Sequence, residues 1–285
     1  IVIFAVSPVS IMVSGFHGNT DPVMVFFLVA AVSAAMRNRP SLCGLFFAMS
    51  CQIKVSPVLL FPIVMLFWWH RRATIRFLVP AALVFLALWS EPLLNFPTLF
   101  IRSVLSYGSY WGIWGITYWF RMTGMAAFSF VWFEGFSPAQ RIVVACLKAV
   151  IIGTVLCIAW RRRALPARSL TESMGYAWIV FFVFSPGVCA QYMVWLAPFI
   201  LFLSPAFYLW LTISSSLFLF FFYNVTAHGL PWYLAISTNQ LNTIWTPWAA
   251  WPWAVLIAGS IVLYRQAVAA KSRGLANVEP SFAAN

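Results

Sequence analysis

SLCGLFFAMSCQIKVSPVLLFPIVMLFWWH, residues 41–70, lies between the basic pair Arg37/Arg39 and the basic cluster Arg71/Arg72/Arg76. If both clusters stay on one side of a membrane, the chain must enter and return within this stretch. Two full spans need roughly 40 residues, and only 30 are present. Lys54 and Pro57 divide the run into arms of 13 residues (41–53) and 15 residues (56–70). Each arm is about 20–22 Å long at about 1.5 Å per helical residue. The pattern predicts a hairpin of two short helices with the Lys54 ammonium at its tip.

Composition makes lipid the solvent. The 285 residues are 63% hydrophobic and 8% charged, with 28 Phe and only five acidic residues, and the mean hydropathy is +0.92. Soluble domains carry about 25% charged residues. Long apolar runs recur, and alternating segments of about ten residues, the mark of a barrel, do not. The expected fold is an all-α polytopic transmembrane bundle, because helices satisfy their own backbone groups in lipid.

The net charge of +12 is informative through its placement. Twelve of the 17 Lys and Arg residues fall at Arg37/Arg39, Arg71/Arg72/Arg76, Arg161–Arg163 with Arg168, and Arg265/Lys271/Arg273. This bias puts residues 37–40, 70–76, 161–170 and 265–285 in the cytoplasm. Residues 17–21, 92–138 and 224–246 then face outward. The spans run 1–14, 22–36, the hairpin, 77–90, 142–160, 174–185, 192–204, 206–223 and 248–264, giving about ten crossings, several short or broken. One transmembrane domain (1–264) and a short, polar, disordered tail (265–285) are expected. No basic stripe interleaved with aromatics suggests nucleic-acid binding. The five cysteines, odd in number and without CxxC spacing, predict neither a disulfide framework nor a zinc site. The chain opens at Ile1 already inside an apolar run, with no basic segment or cleavage site, and is expected to lack its N-terminal part.

Polar residues gather at the outward turns. "SGFHGNTDPV" (14–23) places His17, Asn19 and Asp21 within five residues. Asp21-Pro22 reads as a helix start, with Asp as the cap. Lys54 is a membrane cation, a class that costs about 2.5–3.5 kcal/mol at mid-bilayer and turns toward a cavity or partner. It could also snorkel, and the same is expected of Lys148, whose loss should matter little. Arg102, Tyr107, Trp111 and Arg121 belong to an aromatic external stretch read as an interfacial amphipathic helix. "SPGVCAQYMVWLAP" (185–198) adds Gln191, Tyr192 and Trp195 at another outer junction. Walker A, GxGxxG, GxSxG and HExxH signatures are absent.

In this order, "GFHGNTDP", "QIKVSP" and "CAQYMVWLAP" resemble landmarks of C-type membrane glycosyltransferases that use polyprenyl-phosphate sugars. The likeness is to the first mannosyltransferase of GPI-anchor synthesis and to bacterial relatives of the glycosyltransferase 87 kind. Gly18, Asn19 and Asp21, then Lys54 and Pro57, then Gln191, Tyr192 and Trp195 carry the likeness, which extends over about residues 7–200. The resemblance implies transfer of a hexose, mannose foremost, from a polyprenyl-phosphate donor to a glycan or glycolipid acceptor. The reaction would take place on the extracytoplasmic face of the bacterial cytoplasmic membrane.

The family's presumed catalytic carboxylate would lie upstream of Ile1, with Asp21 the fallback for that role. His17, Asn19, Asp21, Lys54, Arg102, Tyr107, Trp111, Arg121, Gln191 and Tyr192 form the expected substrate-binding set, and Lys54 is the first candidate for the donor phosphate. Beyond the lipid-linked donor no cofactor is implied, and the need for a divalent metal is left open. A lipid or sugar transporter, or flippase, is the alternative, since broken helices and a buried lysine suit that class too.

Overall fold

The computed structural model describes residues 2–105, 111–131, 135–226 and 248–276. These residues are helical apart from turns and a single bridge between Trp111 and Val131. The first stretch is broken rather than one continuous span. Helices α1 (Val2–Ala5) and α2 (Pro8–Ser10) lead into a π-helical segment, Ile11–Phe16. Pro8 lacks a backbone donor, and Ser7 restarts the chain by accepting from the Ser10 N–H.

The expected break into two short helices at Lys54–Pro57 is present. Helix α3 (Asp21–Met36) runs antiparallel to α4 (Pro40–Ile53), which stops where Lys54 turns extended (φ −146°, ψ 140°). A 3-10 segment, Ser56–Leu60, bridges to α5 (Phe61–His70). Helix α6 (Thr74–Asn95) packs on α4. Gly44 permits this approach: a Cβ there would lie 2.1 Å from the Phe77 carbonyl oxygen.

The stretch expected outside is partly helical, as α7 (Pro97–Leu105) and α8 (Gly115–Met122). Helix α9 (Pro138–Arg162) opens with a reciprocal cap, the Ser137 hydroxyl accepting from the Gln140 N–H while the Gln140 side chain accepts from the Ser137 N–H. Helices α10 (Arg168–Phe184), α11 (Met193–Leu203), α12 (Pro205–Thr226) and α13 (Ala250–Ala276) complete the bundle. Helix α10 begins six residues before the expected 174. Helix α13 runs on through residues 265–276, which corrects the expected disorder there. Its sequence YRQAVAAKSRGLA is rich in good helix formers and contains no proline. Residues 277–285 of the tail lie outside the described residues, as does most of the second outward loop (227–247).

Among the described residues four helical stretches are long and apolar enough to cross a membrane: Thr74–Asn95, Pro138–Arg162, Pro205–Asn224 and Ala250–Ala269. Asp21–Met36, Pro40–Ile53, Ser56–His70 and Ala190–Leu203 are shorter apolar helices. The second and third basic clusters meet at one end of the bundle. There the Arg71 guanidinium donates to the carbonyls of Leu165 (2.8 Å) and Arg163 (3.4 Å). The Arg71 and Arg161–Arg163 clusters therefore share an end, and the excursion through α6 to α9 leaves that end and returns to it.

Candidate functional site

The opposite end of the bundle gathers the three polar landmarks. The Asp21 carboxylate is fully buried at the start of α3. One of its oxygens lies 2.7 Å from the Lys54 ammonium, and the other accepts from the Trp195 indole N–H at 2.9 Å. Segments separated by 33 and 141 residues thus meet on one carboxylate. A buried carboxylate without a partner is costly, and here a cation and an indole supply the compensation.

Asp21 is not the helix cap. Thr20 holds that position, and Asp21 with Pro22 forms the first helical residues. Asn19 instead organises the turn, its side-chain oxygen accepting from the Asp21 backbone N–H at 2.9 Å. Gly18 carries a positive φ of 64° there, a conformation open to glycine at little cost.

Tyr192 and Trp195 build the aromatic wall. Their rings stack with centroids 3.8 Å apart and planes 22° from parallel. The Lys54 ammonium stands 5.1 Å from the Tyr192 centroid and 5.9 Å from that of Trp195. Such cation–π contacts contribute about 0.5–2 kcal/mol. A 3-10 turn, Ala190–Tyr192, immediately before α11 sets this spacing, and it carries Gln191 beside the stacked pair. His17 closes the outer edge, with its Nδ1 2.9 Å from the Tyr223 hydroxyl at the end of α12 and the two rings edge-on. Burial lowers the His17 pKa from its ordinary value; Asp21 pulls it upward and Lys54 lowers it further. His17 is accordingly neutral at pH 7.

The remaining predicted residues have other places. Trp111, between α7 and α9 in sequence, is fully buried, donating its indole N–H to the Phe128 carbonyl and lying against Phe128. Arg121 donates to the Gly112 carbonyl and lies over Phe130. Both hold the fold of the segment 111–131 itself. Arg102 is on α7, and Tyr107 lies outside the described residues.

Sequence reasoning missed the clamp that fixes this segment. The Trp114 and Trp253 indoles donate to the Phe182 and Val183 carbonyls, and the Thr117 hydroxyl donates to that of Pro186. Carbonyls of a last helical turn lack intrahelical partners, so two indoles, one from α13, finish α10, while Trp114 and Thr117 anchor the start of α8 to the turn leading to Tyr192. Tyr223 was also missed; its only sequence signal is a phenol at the end of the phenylalanine run "FLFFFYN".

A cavity of about 470 Å³ opens beside Tyr192, between the 3-10 segment after Lys54, the middle of α9 and the turn Ser185–Cys189. Lys148 lines it among apolar neighbours. Among the described residues no three His, Cys, Asp or Glu side chains gather as a metal site. No protein-family model, curated protein or solved structure matches this chain.

Proposed function

We propose that the chain is a membrane glycosyltransferase that moves a hexose from a polyprenyl-phosphate-linked donor to an extracytoplasmic acceptor. In this reading the bundle makes about ten crossings, and its Lys54 end faces outward from a bacterial cytoplasmic membrane. The observation that carries the proposal is the meeting of Asp21, Lys54 and the Tyr192–Trp195 stack. Three distant segments, each resembling a landmark of the C-type enzymes, converge on one ion pair.

In the reaction the acceptor oxygen attacks the anomeric carbon, the bond from that carbon to the phosphate oxygen breaks, and the acceptor proton passes to a base. Asp21 does not suit the role of base, because both its oxygens are engaged and it is sealed from solvent. Its role is to fix Lys54. The pair is formally neutral, so Lys54 offers donors and orientation more than free charge. Aromatic faces such as the Tyr192–Trp195 wall suit the apolar side of a sugar ring, while His17, Asn19 and Gln191 supply polar contacts to hydroxyls. Preorganised donors of this kind commonly make the largest contribution to stabilising a transition state.

The test is hexose transfer from polyprenyl-phosphate mannose in membranes carrying the protein. His17→Ala and Gln191→Ala should each lose about tenfold or more, a loss equivalent to about 1.4 kcal/mol, whereas Arg265→Ala at the other end should be neutral. Donor flux across sealed vesicles without sugar transfer would replace this reading with the transporter one.

A further inference from the structure

Lys148 was expected to snorkel harmlessly, and the structure gives it a different setting. It lies ten residues into α9, about 15 Å along the axis at about 1.5 Å per residue, in a helix that continues to Arg162. Among the described residues it has no ion-pair partner, the two recorded pairs being Lys54–Asp21 and Arg162–Glu172. Its side chain is exposed on the helix surface, and a cation that far along an apolar helix is costly in lipid unless it meets an anion or water. Beside it is the cavity of about 470 Å³, lined by Val58, Leu59, Ile151, Ile152, Val155 and Tyr192. That volume falls within the range of about 300–1,000 Å³ typical of small-ligand sites. Largely apolar walls with one exposed cation in the lining complement a molecule with an apolar chain and an anionic head.

We infer that this cavity binds a single-chain lipid monophosphate, with its chain between α5 and α9 and its phosphate at Lys148. The size of the cavity favours one chain over the pair carried by a diacyl phospholipid. The inference deepens the proposed function, since it places the lipid part of the donor against the wall that Tyr192 shares with the site. It rests on that reading only for the link to transfer; binding itself involves no sugar. It also assigns the phosphate to Lys148, which is unpaired among the described residues, rather than to Lys54, which Asp21 already neutralises.

The experiment uses purified protein in phosphatidylcholine nanodiscs and hexadecyl phosphate bearing a photoactivatable diazirine in its chain, with labelled residues mapped by mass spectrometry. Saturable labelling should fall on residues 148–156 and 55–62. Lys148→Gln should weaken it about tenfold or more, the loss expected for one charged contact. Ile152→Trp, at a half-exposed position that lines the cavity, should abolish it while the melting temperature stays unchanged. Ile142→Trp, on the same helix outside the cavity, should leave it intact. Equal labelling by the corresponding diazirine hexadecanol would overturn the phosphate assignment. Stronger competition by phosphatidylglycerol than by hexadecyl phosphate would overturn the single-chain assignment, and labelling unaffected by Ile152→Trp would overturn the site. Binding that persists in membranes without hexose transfer would leave this inference standing and remove the proposed reaction.

Discussion

Lys54→Met is the perturbation that tests the ion pair. The side chains are of similar length, and methionine is well tolerated among apolar neighbours, so the lysine considered alone looks dispensable. The structure gives the opposite expectation, because the substitution strands Asp21, whose side chain is fully buried. Removing one partner of a buried pair typically costs about 3–5 kcal/mol, since the remaining charge loses its compensation.

The reciprocal change, Asp21→Asn, should be milder. Asparagine retains an oxygen for the Trp195 indole, and the Lys54 side chain is still 23% exposed and can reach water. The double variant Asp21→Asn/Lys54→Met should recover most of the loss, with a coupling of at least about 2 kcal/mol, the signature of residues in direct contact. Reversible denaturation in detergent, followed by the fluorescence of the buried tryptophans, measures all four species. Lys54→Met as stable as the parent, or a strictly additive double variant, would refute the reasoning.

Other outcomes follow from single contacts. Trp195→Phe keeps the ring but removes the N–H donated to Asp21, and should destabilise by about 1.5–3 kcal/mol, the range for a hydrogen bond to a charged group. Gly44→Ala should separate α4 from α6, because the added methyl meets the Phe77 carbonyl; a loss of about 1–3 kcal/mol in the same assay is expected. The lowered His17 pKa means that the unfolded chain binds more protons than the native one between the native value and about 6.5. Stability should therefore be full above about pH 6.5, decline as pH falls toward the native value, and become less pH-sensitive in His17→Gln. Single cysteines at Ser41 and Met125 in a cysteine-free background should react with an impermeant maleimide from opposite sides, and labelling from one side would break the proposed topology.

Local features were the ones legible in the sequence. A lysine and a proline inside an apolar run sufficed to place the break between α4 and α5, because each conflicts with continuous helix in lipid on its own. Of the four basic clusters expected on one side, two share an end, where Arg71 contacts Arg163 and Leu165. What depended on distant partners was not legible. Asp21 could be read as a helix cap from Pro22 alone, but its meeting with Lys54 and Trp195 arises only when α3, α4 and α11 pack. Lys148 looks in the sequence like any lysine near a helix start; the cavity beside it forms only when the Ser185–Cys189 turn and the 3-10 segment pack against α9. Trp111 and Arg121 were aromatic and basic in the right region, yet their partners lie within their own loop. Residues 265–276 were judged by their polarity, whereas their helix propensity decided their structure.

The central claim is that the Asp21–Lys54–Trp195 end of the bundle is where a lipid-phosphate sugar reacts with an outside acceptor. Its most direct measurement is hexose transfer in sealed right-side-out vesicles supplied with polyprenyl-phosphate mannose and a membrane-impermeant acceptor. The account predicts transfer to the outside acceptor by the parent protein and a loss of about tenfold or more in Gln191→Ala, equivalent to about 1.4 kcal/mol. Transfer seen only in inside-out vesicles, or a Gln191→Ala rate equal to that of the parent, would contradict it.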